Sequence, residues 1–340
     1  MKLLNPLLHR ACTAGCLAAA CCAQAAWIAG AYKDVSQHAD AGVPRIAARV
    51  GGGPPGLLPD ASLHRGTLSW AFATGECGQE RWGAFDTERF AALNVAAFVA
   101  AGSDYIVSSG GEAGGFTCSS DEGMQRFVAR YDSPRLVGLD FDIERRQTPA
   151  QIDDLVRHAQ AAQRRKPALR LSFTLASHAS ADGSLRSLNA TGEAVVRSLK
   201  RHALDRAVLN LMVMNYGPAD ARWCVLAEGA GAGSAPRCDM GRSALQAAHN
   251  VHAKYGIAYA RIALTAMLGE NDVAGNVFTL EDATLMARGA RELGLAGIHH
   301  WSLDRDQPCA PGSARVSPHC HGLPGVAPGR FDVVLDSATK

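Results

Sequence analysis

The sequence predicts a single domain of the α/β class, a closed (β/α)8 TIM barrel. Eight short apolar, β-rich runs recur along the chain, helix-patterned segments lie between several of them, and no stretch reads as a linker between domains. With 340 residues, 47% hydrophobic and 19% charged, the chain can bury a sizeable core.

Taken in order, Met1 to Ala25 reads as an export signal: Lys2, His9 and Arg10 precede a small apolar run that ends near Ala23-Gln24-Ala25. That run is too short to span a bilayer. A lipoprotein signal using Cys21 or Cys16 is the alternative. Residues 26–340 then form the one domain. Gly51-Gly52-Gly53-Pro54-Pro55-Gly56 breaks regular structure and reads as a loop. The expected strands are Trp27 to Tyr32, Thr67 to Ala73, Asp104 to Ser108, Leu136 to Ile143, Leu169 to Leu175, Val208 to Met214, Arg261 to Ala266 and Gly297 to Trp301. Helical spacing is clearest at Pro149 to Arg165, where Ile152, Leu155, Val156 and Ala159 share a face. Leu280 to Leu293 is similar, with Thr279 as N-cap and Gly294 beyond its end. A doubly wound open sheet is the structural rival, but no GxGxxG follows the first strand and no P-loop is present.

Lys+Arg 34 against Asp+Glu 32 gives a net charge of +2, too weak a field to recruit nucleic acid or an anionic membrane. Beyond the expected signal stand Cys77, Cys118, Cys224, Cys238, Cys309 and Cys320. An even number in an exported chain favours disulfides over metal. Cys224 with Cys238 and Cys309 with Cys320 are close enough in sequence for local staples, which leaves Cys77 with Cys118. Without CxxC or HExxH, no zinc site is expected.

The most informative segment is Leu136-Val137-Gly138-Leu139-Asp140-Phe141-Asp142-Ile143-Glu144. Both faces of a barrel strand are covered, so carboxylates at every second position depart from the usual apolar run. Period-two alternation points Asp140, Asp142 and Glu144 to the barrel interior and Leu139, Phe141 and Ile143 outward. Glu144 emerges last, at the C-terminal mouth. Three stacked like charges cannot all ionise cheaply, so a proton should be retained, as a general acid requires. An acidic solvent face and a magnesium-binding cluster are the competing readings of this segment, the second weakened by the lack of a His or Lys constellation on neighbouring strands.

At these residues the sequence resembles glycoside hydrolase family 18, the chitinases and related endo-N-acetylglucosaminidases, whose fourth barrel strand carries DxxDxDxE. Ser108-Ser109-Gly110-Gly111 matches the family's SxGG, Met212-Val213-Met214-Asn215-Tyr216 occupies the MxYD region, and Gly297-Ile298-His299-His300-Trp301-Ser302 looks like the eighth-strand end. The resemblance implies Glu144 as acid and base, Asp142 as partner of the substrate acetamido N–H, Asp140 behind it, and Tyr216 and Asn215 at the acetamido group. It implies sugar contacts from Trp301, Tyr32, Ser108, Gly110, Gly111, Met212 and Met214. The mechanism it implies is substrate-assisted, with no metal or cofactor. Two departures stand out: Val137 replaces the motif's first Asp, and Met214-Asn215 replaces Tyr-Asp.

The expected function is hydrolysis of chitin or chitooligosaccharides by a secreted or periplasmic monomer, partnered by no nucleic acid and holding no transmembrane segment. The alternatives are an endo-N-acetylglucosaminidase acting on N-glycans or a cell-wall polymer, and a catalytically weak sugar-binding protein. His299 and His300 read as packing residues, and Trp70, Trp82 and Trp223 as loop packing or outer subsites.

Overall fold

The computed structural model describes residues 26–37, 43–49, 51, 54–60, 62–144, 146–228, 235–314 and 316–337; the expected export signal lies outside the described residues. Eight parallel strands close into a barrel: β1 (Ile28–Asp34), β2 (Leu68–Ala73), β3 (Tyr105–Gly110), β4 (Leu136–Asp142), β5 (Arg170–Ala176), β6 (Val208–Met212), β7 (Ile262–Met267) and β8 (Gly297–Trp301). Each pairs with its sequence neighbours, and β8 returns to β1 with Gly297 beside Ile28. All eight expected strands are present, with ends that differ by one or two residues.

Around the sheet run α1 (Thr87–Ala101), α2 (Asp121–Tyr131), α3 (Pro149–Arg165), α4 (Ala190–Arg201), α5 (Met240–Tyr255), α6 (Leu280–Glu292) and α7 (Arg330–Ser337). Local sequence explains their limits. Thr148 and Gln151 form a capping box at the start of α3, with Pro149 in its first turn; Thr279 and Asp282 do the same for α6. Gly102 ends α1 in the left-handed conformation at φ 67°. Between β1 and β2 the described residues hold no helix, only the short antiparallel pair Ala47–Ala48 and Gly56–Leu57.

Alternation along β4 divides its side chains as expected. Leu139, Phe141 and Ile143 are buried in the layer between sheet and helices, where Phe141 lies 6.1 Å from Phe116 and 5.2 Å from Phe173, ring centre to ring centre. Burying each such side chain contributes roughly 1.5–3 kcal/mol. Trp70 points the same way on β2, stacked on Tyr105 at 4.3 Å and edge-on to Phe98 of α1 at 4.9 Å. Trp82 stacks on Phe90 at 4.7 Å. Both are packing residues of the helix layer.

All three cysteine pairs form disulfides: Cys77–Cys118, Cys224–Cys238 and Cys309–Cys320. The first ties the loop after β2 to the loop after β3, the second closes the loop after β6, and the third closes the segment after β8. Each lies on the C-terminal side of the barrel. Among the described residues, no helix is long and apolar enough to cross a membrane.

The C-terminal α7 docks through a carboxylate pair. The backbone N–H groups of Phe331 and Asp332 donate to Asp306 at 3.1 and 2.8 Å. Burial raises Asp306 to about 6; burial, followed by repulsion from Asp306, raises Asp332 to about 7. Because both folded values lie above the unfolded ones, the pair's stabilisation is fully present below about pH 4 and is lost as pH climbs through 6 to 7. We therefore expect Asp332→Asn to raise stability at pH 8 relative to pH 5 by about 1–3 kcal/mol. Thermal unfolding across this pH range that gives parallel curves for the two proteins contradicts it.

Candidate active site

The site grows from the inward face of β4. Asp140, 1% exposed, sits at mid-barrel and receives four hydroxyl donors. Tyr32 of β1 and Ser108 of β3 donate to Oδ2 at 2.9 and 2.7 Å; Ser172 and Thr174 of β5 donate to Oδ1 at 2.6 and 2.8 Å. A further shell aims these donors. Asn210 of β6 donates to Tyr32 and Thr174, both at 2.9 Å, and accepts from Thr265 of β7 at 2.9 Å. Burial pushes Asp140 above the ordinary carboxylate range, opposed by its hydroxyl donors. Burial, and after it the Asp140 charge, holds Tyr32 well above its usual value, so it remains a neutral donor.

One step nearer the mouth, Asp142 is 5% exposed and its Oδ1 has no hydrogen-bond partner among the described residues. Burial raises it well above the usual range, and the charges of Glu144 and then Asp140 push it further. Asp142 is thus biased toward its protonated form. Glu144 stands half-buried in the turn just after β4. The ladder therefore rises from a hydrogen-bonded carboxylate, through a buried one whose burial favours the proton, to one at the opening.

Glycines let the next strand press against it. Gly110 has φ 95°, and a Cβ there would lie 2.1 Å from the Asp142 carbonyl oxygen. A Cβ on Gly111 would lie 2.8 Å from the Phe72 ring. Both positions exclude larger residues. Phe72 stacks on Trp301 with centres 5.6 Å apart and 19° between planes, and Tyr32 lies 6.3 Å from each. These rings form an aromatic floor beside the carboxylates, with Trp301 and Phe72 half-buried. Non-proline cis peptides join Ala71 to Phe72 and Trp301 to Ser302. Met212 and Met214 are half-buried at the end of β6, beyond Asn210.

The remaining two expected residues take other partners. Asn215, in the left-handed region at φ 52°, donates its side-chain amide to Asp272 at 2.8 Å and accepts from the Val273 N–H at 3.1 Å. Tyr216 is 2% exposed, its backbone N–H donates to Asn276 at 2.9 Å, and its hydroxyl has no hydrogen-bond partner among the described residues. Burial, and secondarily the charge of Asp282, raises its pKa. The Asn215 side chain and the Tyr216 backbone thus tie to the connection after β7; neither side chain is hydrogen-bonded to the carboxylate ladder among the described residues. Asn215→Asp should accordingly act on stability: it sets a second carboxylate against Asp272 and removes a donor, at a cost of about 1–2 kcal/mol. Equal melting temperatures for the two proteins at pH 7 contradict this.

His299 and His300 are buried; burial, then Arg170 and His300, lowers His299 to about 3, and burial lowers His300 to about 4, so both are neutral at physiological pH. Trp223 is half-buried on the stapled loop after β6, with the Arg186 guanidinium 4.6 Å from its ring centre. Among the described residues, no cluster of three His, Cys, Asp or Glu side chains could hold a metal ion.

No protein-family model matches the chain. Over 267 residues it is 29% identical to a probable bifunctional chitinase/lysozyme of Escherichia coli (strain K12), which covers 71% of this chain and 27% of that protein. Over 230 residues it is 30% identical to Endochitinase 11 of Metarhizium anisopliae, covering 62% and 41%. The chain therefore spans well under half the length of these two relatives. Among solved structures, active domain 2 of the thermostable chitinase of Pyrococcus furiosus, studied as catalytic site mutants complexed with chito-oligosaccharides, has TM-score 0.61 and 24% identity, covering 80% of this chain and 85% of that one. The Group IV chitinase of Ostrinia furnacalis has TM-score 0.52 and 13% identity, covering 92% and 99%. These two likenesses are of fold. Barrel, carboxylate ladder and relatives together define a chitinase-like protein. Its carboxylate strand resembles that of glycoside hydrolase family 18.

Proposed function

We propose that the protein hydrolyses β-1,4-linked N-acetylglucosamine polymers, chitin or chitooligosaccharides, with retention of configuration. The observation that carries this reading is the Asp140–Asp142–Glu144 ladder, whose middle carboxyl is pushed well above the usual range by burial, next to an aromatic floor suited to the C–H face of a sugar ring. Glu144 delivers that proton to the glycosidic oxygen as the anomeric C–O bond breaks. The substrate's own acetamido oxygen attacks the anomeric carbon from the other face, so no enzyme nucleophile is needed. Asp142 presents its unpartnered Oδ1 to the acetamido N–H and, once the proton has left, carries the negative charge opposite the oxazolinium cation. Glu144, now ionised, takes a proton from water, which opens the ring and releases the β-anomer. Asp140 fixes Asp142 from beneath, while Trp301, Phe72 and Tyr32 seat the sugar. Ser108 serves through its bond to Asp140, and Gly110 and Gly111 by their close approach. Met212 and Met214 border the opening.

Three disulfides on the mouth loops suit an oxidising compartment, and we place the protein outside the cytoplasm, secreted or periplasmic. The deciding experiment is product analysis on chito-oligosaccharides, their de-N-acetylated counterparts, an N-glycoprotein and peptidoglycan. Cleavage confined to acetylated chito-oligomers, with the β-anomer formed first by NMR, is the expected result. An α-anomer first, or cutting next to a sugar without its acetyl group, contradicts the mechanism; cleavage of the glycoprotein or peptidoglycan instead contradicts the substrate class.

A further inference from the structure

Beneath the ladder lies a cation that the proposed mechanism does not use. Arg170 opens β5 on the same face as Ser172 and Thr174, the two β5 hydroxyls that hold Asp140. Register sets Arg170 beside Gly138 and Ser172 beside Asp140, so the arginine belongs to the layer directly under the carboxylate. Small and apolar residues line this end of the barrel. A Cβ on Gly138 would lie 3.1 Å from the Arg170 carbonyl oxygen and 3.5 Å from Ile106, and Val208, Ala263 and Ala296 form a separate buried apolar cluster at the same end of the barrel. The space they leave lets the guanidinium cross the floor. In an eight-strand ring β5 stands opposite β1, and Arg170 Nη1 donates at 3.0 Å to the carbonyls of both Ala26, ahead of β1, and Ala296, ahead of β8. Its Nε and Nη2 are buried with no hydrogen-bond partner among the described residues.

We propose that Arg170 is a positioning residue for the reaction: a counter-charge, pinned across the barrel floor, that keeps Asp140 ionised so that the ladder's proton stays with Asp142 and Glu144. An arginine is suited to this because burial lowers it only to about 10, which leaves it charged at neutral pH, and Asp140 attracts it. The other titratable groups around Asp140 cannot do the same. Tyr32 of β1 and His299 of β8 are neutral, Asp142 and Glu144 repel it, and Ser108, Asn210 and Thr265 from β3, β6 and β7 carry no charge.

The inference rests on the proposed glycosidase reading only for its kinetic arm, so it is tested first without activity. In wild-type protein carrying 13C-carboxyl aspartate, with resonances assigned through Asp140→Asn and Asp142→Asn, Asp140 should ionise at lower pH than Asp142. In Arg170→Met the Asp140 midpoint should rise by at least one pH unit, a tenfold change in its proton equilibrium, whereas Arg170→Lys should restore most of the difference. The acidic limb of the kcat/KM profile should move upward with it, an effect that mere loss of packing would not produce. If Arg170→Met does not fold, Arg170→Gln, which removes the charge but keeps donors for the Ala26 and Ala296 carbonyls, takes its place and should raise the Asp140 midpoint likewise. Asp142 ionising before Asp140, or an Asp140 midpoint indifferent to loss of the charge at 170, overturns the proposal. Absence of any wild-type cleavage of chito-oligosaccharides would instead overturn the glycosidase reading and leave the titration to judge Arg170.

Discussion

Glu144→Gln should lower kcat on chito-oligosaccharides by ~10²- to 10⁴-fold, the range associated with loss of a general acid, while oligosaccharide affinity changes little. The amide preserves shape and most hydrogen bonding but has no proton to give to a leaving oxygen. Glu144 is half-buried at the end of β4 and lies outside the four-donor cage around Asp140, so the substitution should leave the barrel intact. Isothermal titration with a chito-oligosaccharide, set beside turnover of the same oligomer, separates the two effects. Wild-type turnover in the variant would remove Glu144 from the chemistry.

Asp142→Asn should cost about as much as the loss of a major electrostatic stabiliser, ~10²- to 10³-fold in kcat. Two effects combine. Asparagine cannot become an anion when Glu144 releases its proton, so the oxazolinium loses its counter-charge. Glu144 also loses the repulsive neighbour whose field helps to retain the proton. The alkaline limb of the rate profile should therefore fall to lower pH. Stability should respond in the opposite sense to activity. Asp142 has its folded pKa raised, so its stabilisation is full below the unfolded value near 4 and is lost as pH rises through the folded one. The uncharged amide removes that loss, and the variant should withstand alkaline pH better than wild type. A melting curve in which Asp142→Asn is the less stable protein at high pH contradicts the assignment of the retained proton.

The barrel was legible because β4 breaks one rule and keeps another. Carboxylates at alternate positions violate the apolar character of a covered strand, yet their spacing matches the pleat, so the interior face could be assigned. The same reasoning, applied to Arg170, Ser172, Thr174 and Asn210, would have found the cage around Asp140, since those residues place polar groups on the inward face of β5 and β6 at period two. Phe72 was hidden for the opposite reason. Strict alternation groups it with Trp70 on the outward face, but the pairing of β2 with β3 shifts between Trp70 and Ala73, and this irregularity brings Phe72 onto Trp301. A bulge at the first residues of β4 likewise skips Val137: Tyr105 pairs with Leu136 and Ile106 with Gly138. Asn215 and Tyr216 could not be placed from motif position, because the chain leaves β6 at Met212 and their orientation is set by side chains some sixty residues later, Asp272 and Asn276. Such long-range partners leave no trace in local spacing.

The positions of the three disulfides divide the molecule mechanically. The floor and helix layer are held by hydrogen bonds and apolar packing, whereas among the described residues each disulfide falls on loops at the C-terminal mouth, where ligand would enter. Cross-links of this kind act chiefly by narrowing the conformations open to the chain they enclose. Thiol reductants should thus spare the barrel and blur the rim: the ladder would keep its geometry while the walls that choose among long substrates lose definition, so that redox state governs selectivity ahead of chemistry.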